Sequence, residues 1–235
     1  ESESNNLDLP HAFIWDAVNG MRDIGTLPGM TYSIAYGINN QGQVVGESGA
    51  RTIGGFFIAY AFLWDPINGM QNLGSLIPGG FSIAQDINDA GQVVGEYGSV
   101  EAGVEYAFIW DAVGGMRDLG TLGGTNSIAY SINNQGEVVG ESERIDSAHR
   151  PFIWNPLTGM QEIDTFPPHK GIAYGINNRG QIISESRAAL LELDSDSDGL
   201  PDTWERDGID IDKDGTIDLA LNEPPFNANP FHKDI

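Results

Sequence analysis

The sequence predicts an all-β protein, consisting of a small β-propeller of four-stranded antiparallel blades followed by a short calcium-binding loop and helix segment. Two repeated blocks and one change of composition support this prediction. Trp15, Trp64, Trp110 and Trp154 are spaced by 49, 46 and 44 residues, within otherwise similar surroundings. The repeats stop near residue 193, after which aspartates alternate with other residues. We therefore divide the chain into residues 1–193, the propeller, and residues 194–235, an acidic calcium-binding module and C-terminal arm.

The first repeated block has Phe, an aliphatic residue, Trp and then Asp or Asn, and a Met follows five residues later. Its four copies are Ala12–Asp16, Ala61–Asp65, Ala107–Asp111 and Pro151–Asn155. We expect the aromatic side chains to pack between blades, because large aromatics at equivalent positions of a repeat usually dominate the core. We expect the Asp to cap the turn after it. The aromatic side chains are Phe13, Trp15, Phe62, Trp64, Phe108, Trp110, Phe152 and Trp154.

Each repeat is predicted to contain four short strands. In the second repeat these are Ser33–Ile38, Gln43–Glu47, Tyr60–Trp64 and Met70–Leu73. The second repeated block begins at Ile38, Ile87, Ile132 and Ile176, and each copy carries an Asn-containing link. In the first copy this link, Asn39–Gly42, suits a type I turn closed by a left-handed glycine. Four strands in each unit of this length are typical of a propeller blade.

The number of blades depends on how the two ends are completed. Joining the incomplete ends gives a closed ring of four blades, with one blade shared by both termini, and we favour this count. A further half-repeat upstream would give five blades. In a third arrangement, the ring stays open and its ends complete a neighbouring molecule.

A glutamate recurs after each Val-Val-Gly or Ile-Ile-Ser string, at Glu47, Glu96, Glu141 and Glu185. These carboxylates could form a ring on one face of the propeller. We favour the simpler interpretation, in which they are solvated strand ends.

The acidic segment contains the ligand order of a calcium loop. Carboxylates stand at positions 1, 3, 5, 9 and 12 with glycine at position 6, a pattern that gives a hard cation its oxygen ligands. The predicted ligands are Asp194, Asp196, Asp198, the carbonyl of Leu200, Asp202 and Glu205. A second loop begins at Asp210, with predicted ligands Asp210, Asp212, Asp214, Thr216 and Asp218. Its twelfth position is Leu221, so Asp207 or Glu223 would have to complete the shell. We expect Ca²⁺ as the cofactor at two sites, the alternative being a solvated acidic linker.

Composition excludes several classes of partner. The formal charge is 11 − 34 = −23, which disfavours nucleic acid, because its binding requires clustered Lys and Arg. The sequence contains no run of about 18 apolar residues, so membrane insertion is not expected. Calcium loops of this kind saturate where calcium is near millimolar, which favours an extracellular, secreted protein.

The repeated strings resemble the HAF family of bacterial extracellular repeats, over residues 10–187. This resemblance implies a secreted or surface protein with a propeller-like fold, and it implies no assigned activity. The acidic segment resembles the thrombospondin type 3-like calcium repeats of bacterial surface proteins. The ending Asn229–Ile235 resembles a junction after which further domains follow, some of them hydrolytic.

No catalytic motif is found in the sequence, which has no H-E-x-x-H pair and no G-x-S-x-G elbow. Gln85 and Asp86 depart from the repeat and are the first channel residues to inspect. We expect a non-enzymatic structural or adhesive module that associates with itself or with other cell-surface proteins. The competing hypotheses are a carbohydrate-binding propeller, with specificity in the loops Gly49–Phe56 and Gly98–Glu105, and an accessory region of a larger secreted hydrolase.

Overall fold

A computed structural model describes residues 9–51, 57–163 and 171–186 of the chain. These residues form sixteen β-strands and no helix, so the predicted all-β class is confirmed for this part of the chain. None of the described segments is a helix with the length and hydrophobicity that a membrane span requires. The predicted domain boundary and the acidic segment lie outside the described residues.

The strands pair antiparallel with their sequence neighbours and form five separate sheets. The N-terminal hairpin consists of β1 (Ala12–Asp16) and β2 (Gly20–Gly25). Sheet I contains β3 (Tyr32–Ile38), β4 (Val44–Arg51), β5 (Phe57–Asp65) and β6 (Gly69–Gly74). Sheet II contains β7 (Phe81–Ile87), β8 (Val93–Ser99), β9 (Val104–Asp111) and β10 (Gly115–Asp118). Sheet III contains β11 (Gly123–Ile132), β12 (Val138–Arg144), β13 (His149–Asn155) and β14 (Gly159–Glu162). The C-terminal hairpin consists of β15 (Gly171–Ile176) and β16 (Ile182–Ser186).

The predicted turn chemistry is confirmed. The Gly42 backbone N–H donates to the Asn39 carbonyl at 3.0 Å, and Gly42 has φ of 75°. A side chain at this φ would be strained, so glycine is required there. The predicted Asp cap is also present, because the Asp65 carboxylate accepts from the backbone N–H groups of Ile67 and Asn68 at 2.8 Å.

The core lies between consecutive sheets. Phe62 packs against the N-terminal hairpin, Phe108 against sheet I and Phe152 against sheet II, and all three are fully buried. The predicted aromatic packing between repeats is therefore confirmed for these phenylalanines and for Trp64, which is also buried. Trp110 and Trp154 are partly buried against the same clusters.

Buried serines link each sheet to the unit before it. Each of the three hydroxyls accepts a backbone N–H bond of 2.9 Å from the preceding unit and donates to a carbonyl of that unit. A buried hydroxyl without partners would be costly, so these bonds fix how neighbouring sheets pack. The serines are Ser33, Ser82 and Ser127, with Ala12, Ala61 and Ala107 as the donors.

At the interface between sheet III and the C-terminal hairpin, both the donor and the acceptor of this serine link are missing. Pro151 occupies the donor position and has no N–H, while Gly171 occupies the serine position and has no hydroxyl. The backbone donor and the hydroxyl acceptor of this link are therefore lost together.

The closed ring of four blades requires β16 to pair with β1, as β4 pairs with β5 in sheet I. Among the described strands this pair is not formed, and the two terminal hairpins remain separate two-stranded sheets.

Candidate functional site

A row of carboxylates is formed by one glutamate within the second strand of each complete sheet, namely Glu47, Glu96 and Glu141. Glu47 of β4 is 9% exposed and Glu96 of β8 is 8% exposed. The interpretation as solvated strand ends is therefore wrong for Glu47 and Glu96. Glu141 is partly buried, and the side chain of Glu185 lies outside the described part of the structure. Each of Glu47 and Glu96 lies inside a strand that is paired on both edges and so is not at a strand end, and its side chain is buried.

Each of these carboxylates has a polar partner on the adjacent strand. The Tyr130 hydroxyl donates to Glu141 at 2.9 Å, Tyr36 hydrogen-bonds to Glu47, and Gln85 hydrogen-bonds to Glu96. The partner residue is thus tyrosine in two sheets and glutamine in the middle one.

Burial is the main electrostatic feature of this row. Burial, together with the nearby carboxylates of Glu105, Glu47 and Glu141, raises the pKa of Glu96 from 4.5 to about 7. Burial also raises the pKa of Tyr36 to about 12, with a contribution from Glu47. Glu96 is therefore partly protonated near neutral pH.

A cavity of about 350 Å³ lies beside this row, between sheets II and III. Val104 and Glu105, from the variable stretch predicted to carry specificity, form part of its wall. Glu141 and His149 form another part, with 3.3 Å between a Glu141 carboxylate oxygen and the His149 Nδ1 atom. The cavity thus combines apolar walls with two carboxylates and an imidazole, a set suited to hydrogen-bonding a polar ligand.

Asp86, the other departure from the repeat, has a structural role in the described residues. Its carboxylate accepts from the Ser131 hydroxyl at 2.8 Å and from the Ile132 backbone N–H at 3.0 Å. It therefore joins β7 to β11 rather than facing an open channel.

The four Asn-containing turns form a second polar cluster. Side-chain amides of successive turns donate to the carbonyl of the next turn at 3.0 to 3.3 Å. The four turns also line one pocket of about 250 Å³. The sequence predicted each turn, but the bonds between turns depend on how the sheets stack and could not be read from one repeat. The bonded asparagines are Asn39, Asn88, Asn133 and Asn177.

The N-terminal and C-terminal hairpins expose side chains whose equivalents in the complete sheets are buried or partly buried. Phe13 is 53% exposed and Trp15 is 62% exposed, so the predicted packing between blades is wrong for the first copy. Trp64, by contrast, is covered by the Arg22 guanidinium, 4.9 Å from its ring centroid. At the other end Ile183 is 70% exposed, whereas its equivalent Val45 is fully buried.

All predicted calcium ligands, from Asp194 to Asp218, lie outside the described residues. Within residues 9–51, 57–163 and 171–186, no group of three or more His, Cys, Asp or Glu side chains is arranged to hold a metal ion. The calcium sites therefore stay predictions.

Comparison with known proteins gives one similarity. A search of curated proteins finds no match to the chain. Residues 80–155, which comprise sheet II and the first three strands of sheet III, match a family described as proteins of unknown function, DUF3466.

Proposed function

We propose that this chain is a secreted, non-enzymatic structural or adhesive module that assembles through its two open ends, with itself or with neighbouring surface proteins. The observation that carries this proposal is the exposure of Phe13, Trp15 and Ile183 at positions whose equivalents are buried or partly buried in the complete sheets. Exposed apolar groups of this kind, grouped on an unpaired sheet edge, are typical of an interaction site.

The fold we propose is a small propeller in which sheets I to III are blades and the two hairpins are half-blades. Repeated serine links between sheets and the chain of asparagine bonds support it, because both recur at the same position in successive repeats. All four turns also line a common pocket, as expected where blades meet around an axis.

Replacing Trp15 with aspartate is expected to abolish this assembly, because it places a charge on the apolar end. Light scattering over a wide range of protein concentration measures the effect, and the wild-type mass should rise with concentration. Val18→Asp is the matched control, since Val18 lies in the turn of the same hairpin and is already 90% exposed. A wild-type chain that stays monomeric throughout, or equal effects of the two variants, would contradict the proposal.

The acidic segment is proposed to bind two Ca²⁺ ions, which would supply much of its folding free energy. Titration calorimetry with Ca²⁺ should give two binding events, and Asp194→Asn with Asp196→Asn should remove the tighter one. Mg²⁺ is the control cation, because its small octahedral shell rarely suits an all-protein cage. If the wild-type chain shows no heat of Ca²⁺ binding, this part of the proposal is contradicted.

A second candidate function, a carbohydrate-binding module, is favoured by the cavity at Glu105, Glu141 and His149. Carboxylates and an imidazole beside apolar walls are able to hydrogen-bond sugar hydroxyls. A glycan array separates this candidate from the first one. Retention of a sugar by the wild-type chain, lost in Glu105→Ala, would support it, and no retained sugar would remove it.

A further inference from the structure

The two terminal hairpins are complementary halves of one four-stranded sheet. β16 corresponds to β4, the second strand of a complete sheet, and β1 corresponds to β5, the third. In sheets I to III these two strands pair antiparallel, whereas among the described strands β1 and β16 each have only one partner. Within this part of the chain, each edge lacks the neighbour that the other hairpin carries.

We infer that the partner at each open end is a second copy of this chain, with β16 of one copy pairing antiparallel with β1 of the next. This inference rests on the proposed function and names the partner of the same surface. Strand addition of this kind gives affinity through main-chain hydrogen bonds and specificity through alternating side chains.

The register follows from the complete sheets. In sheet I, Val45 is opposite Leu63 and Gly46 is opposite Phe62. The same residue pairs recur as Val94 with Ile109 and Gly95 with Phe108 in sheet II. The corresponding pairs across the join are Ile183 with Ile14 and Ser184 with Phe13.

The exposed side chains of sheet I are also consistent with a second copy as the partner. Ile38 is 59% exposed and Tyr36 is 48% exposed, whereas Ile87, the equivalent of Ile38, packs against Val45 of the preceding sheet. Ile183 is the equivalent of Val45. A second copy seated on β1 therefore brings the exposed Ile183 side chain to the exposed Ile38.

The series of asparagine hydrogen bonds is also incomplete between the C-terminal hairpin and sheet I. It runs from Asn39 to Asn177, and no described hydrogen bond returns from Asn177 or Asn178 to Asn39 or Asn40. A head-to-tail contact of this type is heterologous, and it produces larger rings or open filaments according to the rotation between copies.

Disulfide trapping tests the pairing, because the natural chain has no cysteine. Single-cysteine chains are mixed in pairs under mild oxidation, and linked dimers are measured by mass. Ile14→Cys should link to Ile183→Cys, and Phe13→Cys to Ser184→Cys, since directly opposite residues bring their Cβ atoms close enough for a disulfide. The crossed pairs, Ile14→Cys with Ser184→Cys and Phe13→Cys with Ile183→Cys, point to opposite faces and should link at least several-fold more slowly.

The doubly substituted chain, Ile14→Cys with Ile183→Cys, distinguishes the second copy from ring closure. Linked dimers and longer species support the inference, while a linked monomer at low concentration overturns it. Equal linkage of matched and crossed pairs also overturns it. If light scattering shows assembly but no matched pair links preferentially, this inference fails and the proposed function stands. If the wild-type chain never assembles, the proposed function fails as well. Circular dichroism confirms that each variant is folded, and the two matched pairs replace one another if one variant is not.

Discussion

Replacing Phe108 with alanine is expected to lower the free energy of unfolding by about 3 to 5 kcal/mol, a typical cost for a fully buried aromatic. Phe108 is completely buried and packs against Val45, Ala61 and Leu63 of the preceding sheet. Its loss leaves a cavity between sheets I and II. Strand pairing within each sheet limits how far the strands can move to fill this cavity. Denaturant unfolding followed by tryptophan fluorescence measures the change.

Phe13→Ala provides the matched control for this prediction. Phe13 occupies the same position of the repeat but is half exposed, so in dilute solution the change should cost less than about 1 kcal/mol. Equal losses in the two variants would mean that Phe13 is buried in the dilute chain and that its end of the stack is closed.

The second large effect is a dependence of stability on pH through Glu96. Its pKa is raised from 4.5 to about 7 in the fold, so the folded state binds the proton more tightly than the unfolded chain. The resulting stability is fully present below pH 4.5 and is lost as the pH rises through 7. The loss is about 3 kcal/mol, because each unit of pKa corresponds to roughly 1.4 kcal/mol.

Glu96→Gln should remove this dependence. The variant should be more stable than the wild type above pH 7 and nearly equal to it below pH 4.5, because the amide is neutral throughout. Glu101→Gln makes the same change in net charge at an exposed turn and controls for general repulsion in a chain of charge −23. A stability difference between Glu96→Gln and wild type that does not vary with pH would refute the raised pKa.

Local features of the fold were predictable from the sequence because they depend on residues close together in the chain. The strands, the left-handed Gly42 and the Asp65 cap each follow from turn chemistry or alternation within one repeat. The burial of Phe108 was predictable for another reason, since a large aromatic repeated at one position usually packs against a neighbouring repeat.

Features that depend on contacts between sheets were not predictable from one repeat. Glu96 and Glu141 have the sequence surroundings of a solvated strand end, and only the stacking of neighbouring sheets encloses Glu96. The serine links likewise join residues about half a repeat apart in sequence, and the asparagine bonds join residues about one repeat apart. Trp15 was mispredicted because its repeat is incomplete in the described structure, so the covering sheet is missing.

Amide hydrogen exchange of β1 and β16, measured as a function of protein concentration, tests the open ends most directly. In dilute solution the outward backbone amides of both strands should exchange freely, while those of β4 and β5 are protected. At concentrations where the chain assembles, we expect the amides of β1 and β16 to become protected together. Protection that is already complete in the dilute monomer, or exchange that stays fast in the assembled state, would contradict an assembly built by pairing these two strands.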